Sequence, residues 1–536
     1  MRDAFAKQVQ PLQLCTPRFS FFELIDSIWS GSNNQPMHRF CTLMRKMNAR
    51  SFVQEDLELN NELLDEKYMA SVHCGSEVEL SAIRLTFFAS CPDSAEWVNE
   101  NDLPDDHLLG YAIIVTIKVP SKDRTPTFML EAIVRPPSVV VLPPNDIIFI
   151  QPITNYYLHN SCVSETILGT EQSHRALKLP GSFFSQQNEM TSVCAHAALR
   201  TAINSSPCLN AAKLTNRQIN DSLGITSYNA TGLSADQIKR VISDLGFTFH
   251  SANFCENTSI EYDHFMYPSL ESGFPTILGM ETWDAKSHRL SGHVVTVLGH
   301  TINSDRWEPE ARRGYGNYPI KPYIPTAEWC CHYIISDDNY GMYSTLPADA
   351  IRNFIVPTKN PNQHACMAIS IVPDTVTLYG YQAEQSAIII AHKLINSVGL
   401  GVPNTWLDRL KSACCPEKLN FVCRTSLRKG KDYWAHIAEE IPTFTQKQVK
   451  YFNALPKDIW VSEVSLPNIF TGNKHKLGDI VINANASPQE HLEGKSLALA
   501  WFPGFIQLGN NINLDTWPIT SHIPLFRLDD PPLLEW

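Results

Sequence analysis

The spacing of apolar and polar positions changes several times along this chain, and each change predicts an element. Near the amino terminus, Phe21–Trp29 and Met37–Met47 are short helix-like pieces, and the acidic stretch from Glu55 to Glu66 predicts a solvated helix face. Two runs rich in Ile and Val, Tyr111–Val119 and Thr127–Val134, flank the turn-forming Pro120–Pro126 and predict a β-hairpin. Arg135-Pro136-Pro137 ends the second run, and further extended stretches are expected over Ser138–Leu142 and Ile147–Ile153.

After Gly181 the pattern opens with helices. Alanine-rich Cys194–Ala202 follows the polar pair Thr191-Ser192, so a helix should begin close to Cys194. Asn216–Leu223 gives a second helix. Ser234–Leu245 gives a third, with Ser234 as N-cap, Gln237 completing a capping box and Gly246 at the carboxyl end. Thr248–His250, Pro275–Met280, His293–Leu298 and His332–Ile335 are strand-like runs set between turn residues. Beyond Pro357, apolar Ala365–Val372 and a helix over Gln382–Val398, with Ala387, Ile390, Ala391, Leu394 and Ile395 apolar, form a transition. Phe421–Arg424, Ile459–Val464, Asp479–Ile482 and Ser496–Trp501 then predict a mostly β ending. The expected fold class is α+β. Its parts are a mixed α/β region over 1–180, a second unit over 181–357, a helical transition over 358–400 and a mostly β carboxy-terminal domain over 401–536.

Composition narrows the function classes. Apolar residues make up 43% and charged residues only 18%, which excludes general disorder. The net charge of −12 argues against nucleic acid as the main partner. Fourteen cysteines are scattered without a disulfide framework, so reduced thiols are expected. The amino terminus lacks the apolar stretch of a secretory signal, and no apolar run is long enough to cross a bilayer; a cytoplasmic protein without a membrane partner is expected. Neither HExxH nor paired CxxC occurs, so no metal site is expected.

The candidate chemistry centres on a thiol. A cysteine at a helix amino terminus is favoured as thiolate, because unsatisfied N–H groups and the helix dipole stabilise negative charge. Cys194 has that placement. Nucleophilic catalysis also needs a histidine on a rigid neighbour and an oxygen acceptor to orient it. His293 opens an apolar strand and Asp337 ends another, with Asp338 and Asn339 as alternatives if the register shifts. An amide side chain upstream of the nucleophile can donate to a developing oxyanion, and Gln186, Gln187 and Asn188 are all eligible. His196 lies about 200° around the helix from Cys194 and is expected to be structural.

This order of glutamine, cysteine at a helix start, two helices, Gly273–Leu278, Gly292–Gly299 and Asp337–Gly341 resembles the papain-like cysteine peptidases, especially the branch related to the bacterial double-glycine leader peptidases. The resemblance covers roughly residues 181–357. It implies a papain-like catalytic core, with Cys194 as nucleophile, His293 as general base and acid, Asp337 as orienting carboxylate and Gln187 as oxyanion donor. It also implies a protein or peptide substrate, no cofactor and a bacterial source. Ala195 departs from the glycine frequent after the cysteine, and the glutamine stands one residue further upstream than in the papain pattern. An insert over Asn303–Glu328 is expected either to overhang the cleft or to be an ordinary surface excursion. The expected reaction is hydrolysis of a peptide or isopeptide bond through an acyl-enzyme. The alternatives are a deamidase or amide-directed acyltransferase on the same residues, or a catalytically silent peptide-binding scaffold.

Overall fold

A computed structural model of the chain describes residues 4–516 apart from 17, 92–104, 121–124, 138–155, 159, 189, 191–193, 207–208, 210–211, 227–231, 256–259, 285–288, 302–322, 349–362, 398–419, 441–443, 474 and 510–513. The stretches expected to be extended over 138–153, the cap at Thr191-Ser192 and most of the insert after Asn303 lie outside the described residues. Both helices and strands build the protein, which is α+β, and the strands form three sheets.

The first sheet is antiparallel, in the order Ala6–Val9, Ser51–Leu57, Glu79–Phe88, Leu108–Lys118, Thr127–Val134, His174–Phe184, Cys162–Gly169. The expected hairpin is present, with Thr116 opposite Thr127. Helix Asn61–Cys74 packs Leu63, Met69 and Ala70 on one face of this sheet. The acidic stretch departs from expectation. Ser51–Leu57 is a strand, and fully buried Glu55 accepts hydrogen bonds from Arg84 Nε and the Gly169 N–H, each at 2.7 Å. Glu62 is buried as well, 2.6 Å from Arg200 Nη2 and 3.1 Å from Lys213 Nζ. These carboxylates go inside because each finds a cation or N–H, and those partners stand far away in the sequence.

The middle sheet carries the candidate chemistry. Its order is Thr248–Asn253, Gln363–Val372, Thr276–Asp284, Arg289–Thr301, His332–Asp337, Gly341–Pro347, all antiparallel. Gln363–Val372, read from the sequence as part of a transition, lies inside this sheet between Thr248–Asn253 and Thr276–Asp284. Apolar runs buried on both faces give no alternation to reveal such pairing. Helices Cys194–Asn204, Asn216–Leu223 and Ala235–Asp244 share one core on this sheet with Ile277, Ile369 and Ile371. Helix Tyr262–Glu271 forms another with Val295, Val297 and Tyr333.

The third sheet runs Tyr323–Pro325, Phe421–Lys429, Asp458–Ser465, Gly478–Asn483, Leu497–Phe502, Phe505–Leu508, Leu514–Thr516. Helix Gly380–Ser397 covers one face with Ala387, Ala391, Leu394 and Ile395. Helices Gly430–Glu440 and Gln446–Asn453 cover the other with Tyr433, Ile437 and Phe452. Among the described residues no helix is long and apolar enough to cross a membrane.

Candidate active site

Cys194 is the first residue of helix Cys194–Asn204. Ala195, Ala198, Leu199 and Ala202 give this helix a low, buried face that docks closely on the sheet. Thr296 Oγ1 donates to the Ala198 carbonyl at 2.8 Å, fastening the helix to strand Arg289–Thr301, which carries His293. Cys194 and His293 thereby line one cleft of about 830 Å³. Its other walls include Asp236 and Lys239 of the capped helix, and Met367 and Ile369 of strand Gln363–Val372. Gly279 lies in the wall, where an added Cβ would meet Met367 Cγ at 2.6 Å, so only glycine leaves both side chains in place.

Asp337 closes strand His332–Asp337 and is 4% exposed. Its Oδ1 stands 3.1 Å from His293 Nε2, an ion-pair contact rather than a well-aligned hydrogen bond, and accepts the Asn339 N–H at 2.8 Å. Asp338 Oδ1 is farther from the imidazole, at 3.7 Å. With Nε2 facing the carboxylates, Nδ1 is the nitrogen left for the thiol. Burial works against a charged His293, but the contacts with Asp337 and Cys194 and the charges of Asp337 and Asp338 outweigh it and raise the imidazole to about 11. The imidazole is therefore cationic at neutral pH. Asp338 behaves differently: burial pushes its carboxyl up to about 7, against the pull of His293.

The three amides separate by their bonds. Gln186 is fixed in the fold, with its Oε1 accepting the Met129 N–H at 3.1 Å and its Nε2 donating to the Asn33 carbonyl at 3.0 Å. Asn188 Oδ1 accepts the Met190 N–H at 3.1 Å in a local turn. Gln187 Nε2 donates to Asn339 Oδ1 at 3.0 Å, which brings its amide to the loop that follows Asp337. One N–H of that amide remains for another acceptor. Asn339 thus holds Gln187, a link between two candidate residues that no spacing in the sequence announced.

His196 is buried, with Nε2 2.9 Å from Asn220 Oδ1, and burial lowers it to about 4; it packs the helix. His293, Asp337 and Asp338 also offer ligand atoms within 4.8 Å of one another. In the metal-free chain the two carboxylates face the imidazolium they help to stabilise. The thiol, the cationic imidazole and a buried carboxylate in one open cleft can carry out nucleophilic attack and proton return. No protein-family model matches the chain, and no curated protein matches it.

Proposed function

We propose that the chain is a cysteine hydrolase with a papain-like core that cleaves a peptide or isopeptide bond through a thioester intermediate. Cys194 attacks the carbonyl carbon as thiolate, its proton residing on His293. The oxyanion is held by the Cys194 backbone N–H and the remaining N–H of Gln187. His293 gives its proton to the leaving amine as the C–N bond breaks. Neutral His293 then takes a proton from water as the oxygen attacks the thioester carbonyl, the C–S bond breaks, the carboxylic acid leaves, and the thiolate–imidazolium pair is restored. Asp337 keeps Nε2 engaged throughout, so that Nδ1 faces the sulfur.

The observation that supports this reading is the convergence of Cys194, at a helix start, and His293 in one solvent-open cleft, with buried Asp337 of the neighbouring strand behind the imidazole. The described cysteines are all free thiols, in keeping with a reducing compartment such as the cytoplasm. The test is a proteomic comparison of cell extract incubated with the wild-type chain and with Cys194→Ala. New peptide termini appear with the wild type and are absent with the variant. Side-chain amides converted to acids without chain scission would point to a deamidase, and identical extracts would reject the enzyme.

A further inference from the structure

Along the same cleft, three hydrogen-bonded neighbouring segments each supply one metal-ligating side chain. Cys255 follows strand Thr248–Asn253, His364 lies on Gln363–Val372, and Glu281 lies on Thr276–Asp284. Their Sγ, imidazole nitrogen and carboxylate oxygen all lie within 4.8 Å of one another. Glu281 and His364 are direct cross-strand partners, with Oε2 and Nε2 3.5 Å apart. The approach to Cys255 is tied down by two bonds: Asn253 Oδ1 accepts the Cys255 N–H at 3.0 Å, and the Phe254 N–H donates to the Cys366 carbonyl at 2.8 Å.

We propose that Cys255, Glu281 and His364 bind one Zn²⁺ ion at the wall of the cleft, a site separate from Cys194 and His293. Zinc accepts thiolate, imidazole and carboxylate together at about 2.0–2.3 Å, whereas magnesium and calcium avoid sulfur. Tetrahedral geometry at those bond lengths sets ligand atoms roughly 3.3–3.7 Å apart, so the Glu281–His364 spacing already fits and only the Cys255 turn has to close. Binding releases the Cys255 thiol proton to solvent, and thiolate plus carboxylate neutralise the dication. The three protein ligands leave a fourth position on the side where Cys255 and Glu281 line the cleft. The ligands span residues 255 to 364, a separation that hides the site from any motif search.

The test uses the full chain, stripped with a chelator, reduced, and titrated with Zn²⁺ against a chromophoric competitor, with Co²⁺ as the spectroscopic probe. The expected result is one equivalent of Zn²⁺ per chain and a thiolate-to-cobalt charge-transfer band. Affinity falls at least about tenfold and the band disappears in Cys255→Ser, and affinity falls as far in His364→Ala. Circular dichroism confirms that the variants remain folded, and Cys194→Ala retains both signals. Absence of a stoichiometric ion overturns the proposal. So does binding that survives in Cys255→Ser and His364→Ala but is lost in Cys194→Ala, which would put the ion on the nucleophile.

Discussion

At the scale of single residues, the two neighbouring aspartates, equally buried, divide their work by distance and hydrogen bonding. Asp337 lies nearer His293 and takes an N–H from Asn339, whereas Asp338 accepts no hydrogen bond from another described residue. Its folded value of about 7 stands above the ordinary 3.8, so the protonated form is the one the fold favours. The associated stability is present below about pH 3.8 and lost as pH rises through about 7. Asp338→Asn is therefore expected to match the wild-type melting temperature near pH 4 and exceed it above pH 7. A difference that shrinks with rising pH would contradict this. His293 has the same sign, because its folded value of about 11 lies above 6.5. The advantage of the wild-type chain over His293→Gln should be fullest below pH 6.5 and close as pH approaches about 11, read from melting curves. The residue types and order of Cys194, His293 and Asp337 were legible in the sequence. Gln187 was implied by the resemblance alone, and the bonds that set it apart from Gln186 were not legible, because they involve Asn33, Met129 and Asn339, none of them a sequence neighbour.

At the scale of elements, local signals were the most readable. Ser234 and Gln237 form the expected reciprocal cap, with Ser234 N–H to Gln237 Oε1 at 2.9 Å and Gln237 N–H to Ser234 Oγ at 3.3 Å. This helix forms a wall of the cleft through Asp236 and Lys239, so its cap bears on the site. Ser234→Ala is expected to cost about 1 kcal/mol in denaturant unfolding while leaving Cys194 in place. Some strands were recognised and others were missed, among them the hairpin Cys162–Gly169 and His174–Phe184, where a polar and aromatic loop was expected as far as Pro180; the neighbours of the recognised strands were not legible. Nothing in Ala365–Val372 states that it sits between Thr248–Asn253 and Thr276–Asp284, since pairing is decided by backbone ladders that any apolar run can make. The acidic Glu55–Glu66 stretch failed for a related reason. Polarity alone predicts exposure, and only the distant Arg84 and Arg200 make burial of Glu55 and Glu62 affordable.

At the scale of the whole molecule, the sheets are joined by shared cores and buried charge. Phe40, Met44 and Phe184 of the first unit pack with Leu298, Ile334 and Met342 of the middle sheet. Strand His174–Phe184 runs across the boundary expected at 180 and 181. Tyr343, held at a φ of 51°, donates from its hydroxyl to the Val134 carbonyl at 2.6 Å and accepts the Ser182 N–H at 2.9 Å. Between the middle and third sheets, Glu271 meets His300 at 2.8 Å and Arg424 at 2.7 Å, and Arg424 continues to Glu463 at 3.1 Å. Arg424→Ala removes the cation shared by two buried carboxylates, leaving Glu271 with His300 alone and Glu463 with Lys476, and is expected to cost about 3 kcal/mol in denaturant unfolding. A loss below about 1 kcal/mol would mean that water reaches the network. This assembly was out of reach from the sequence, because its contacts join residues hundreds of positions apart. The meeting of Cys194 and His293 is decided within the middle sheet and its helix. The most direct test is the rate of alkylation of Cys194 by iodoacetamide near neutral pH, measured by peptide mass spectrometry in the wild type and in His293→Ala. Cys194 should outpace the exposed thiols Cys91 and Cys331, and lose that lead in the variant. A Cys194 that reacts no faster than those two, or equally fast without His293, would contradict the account.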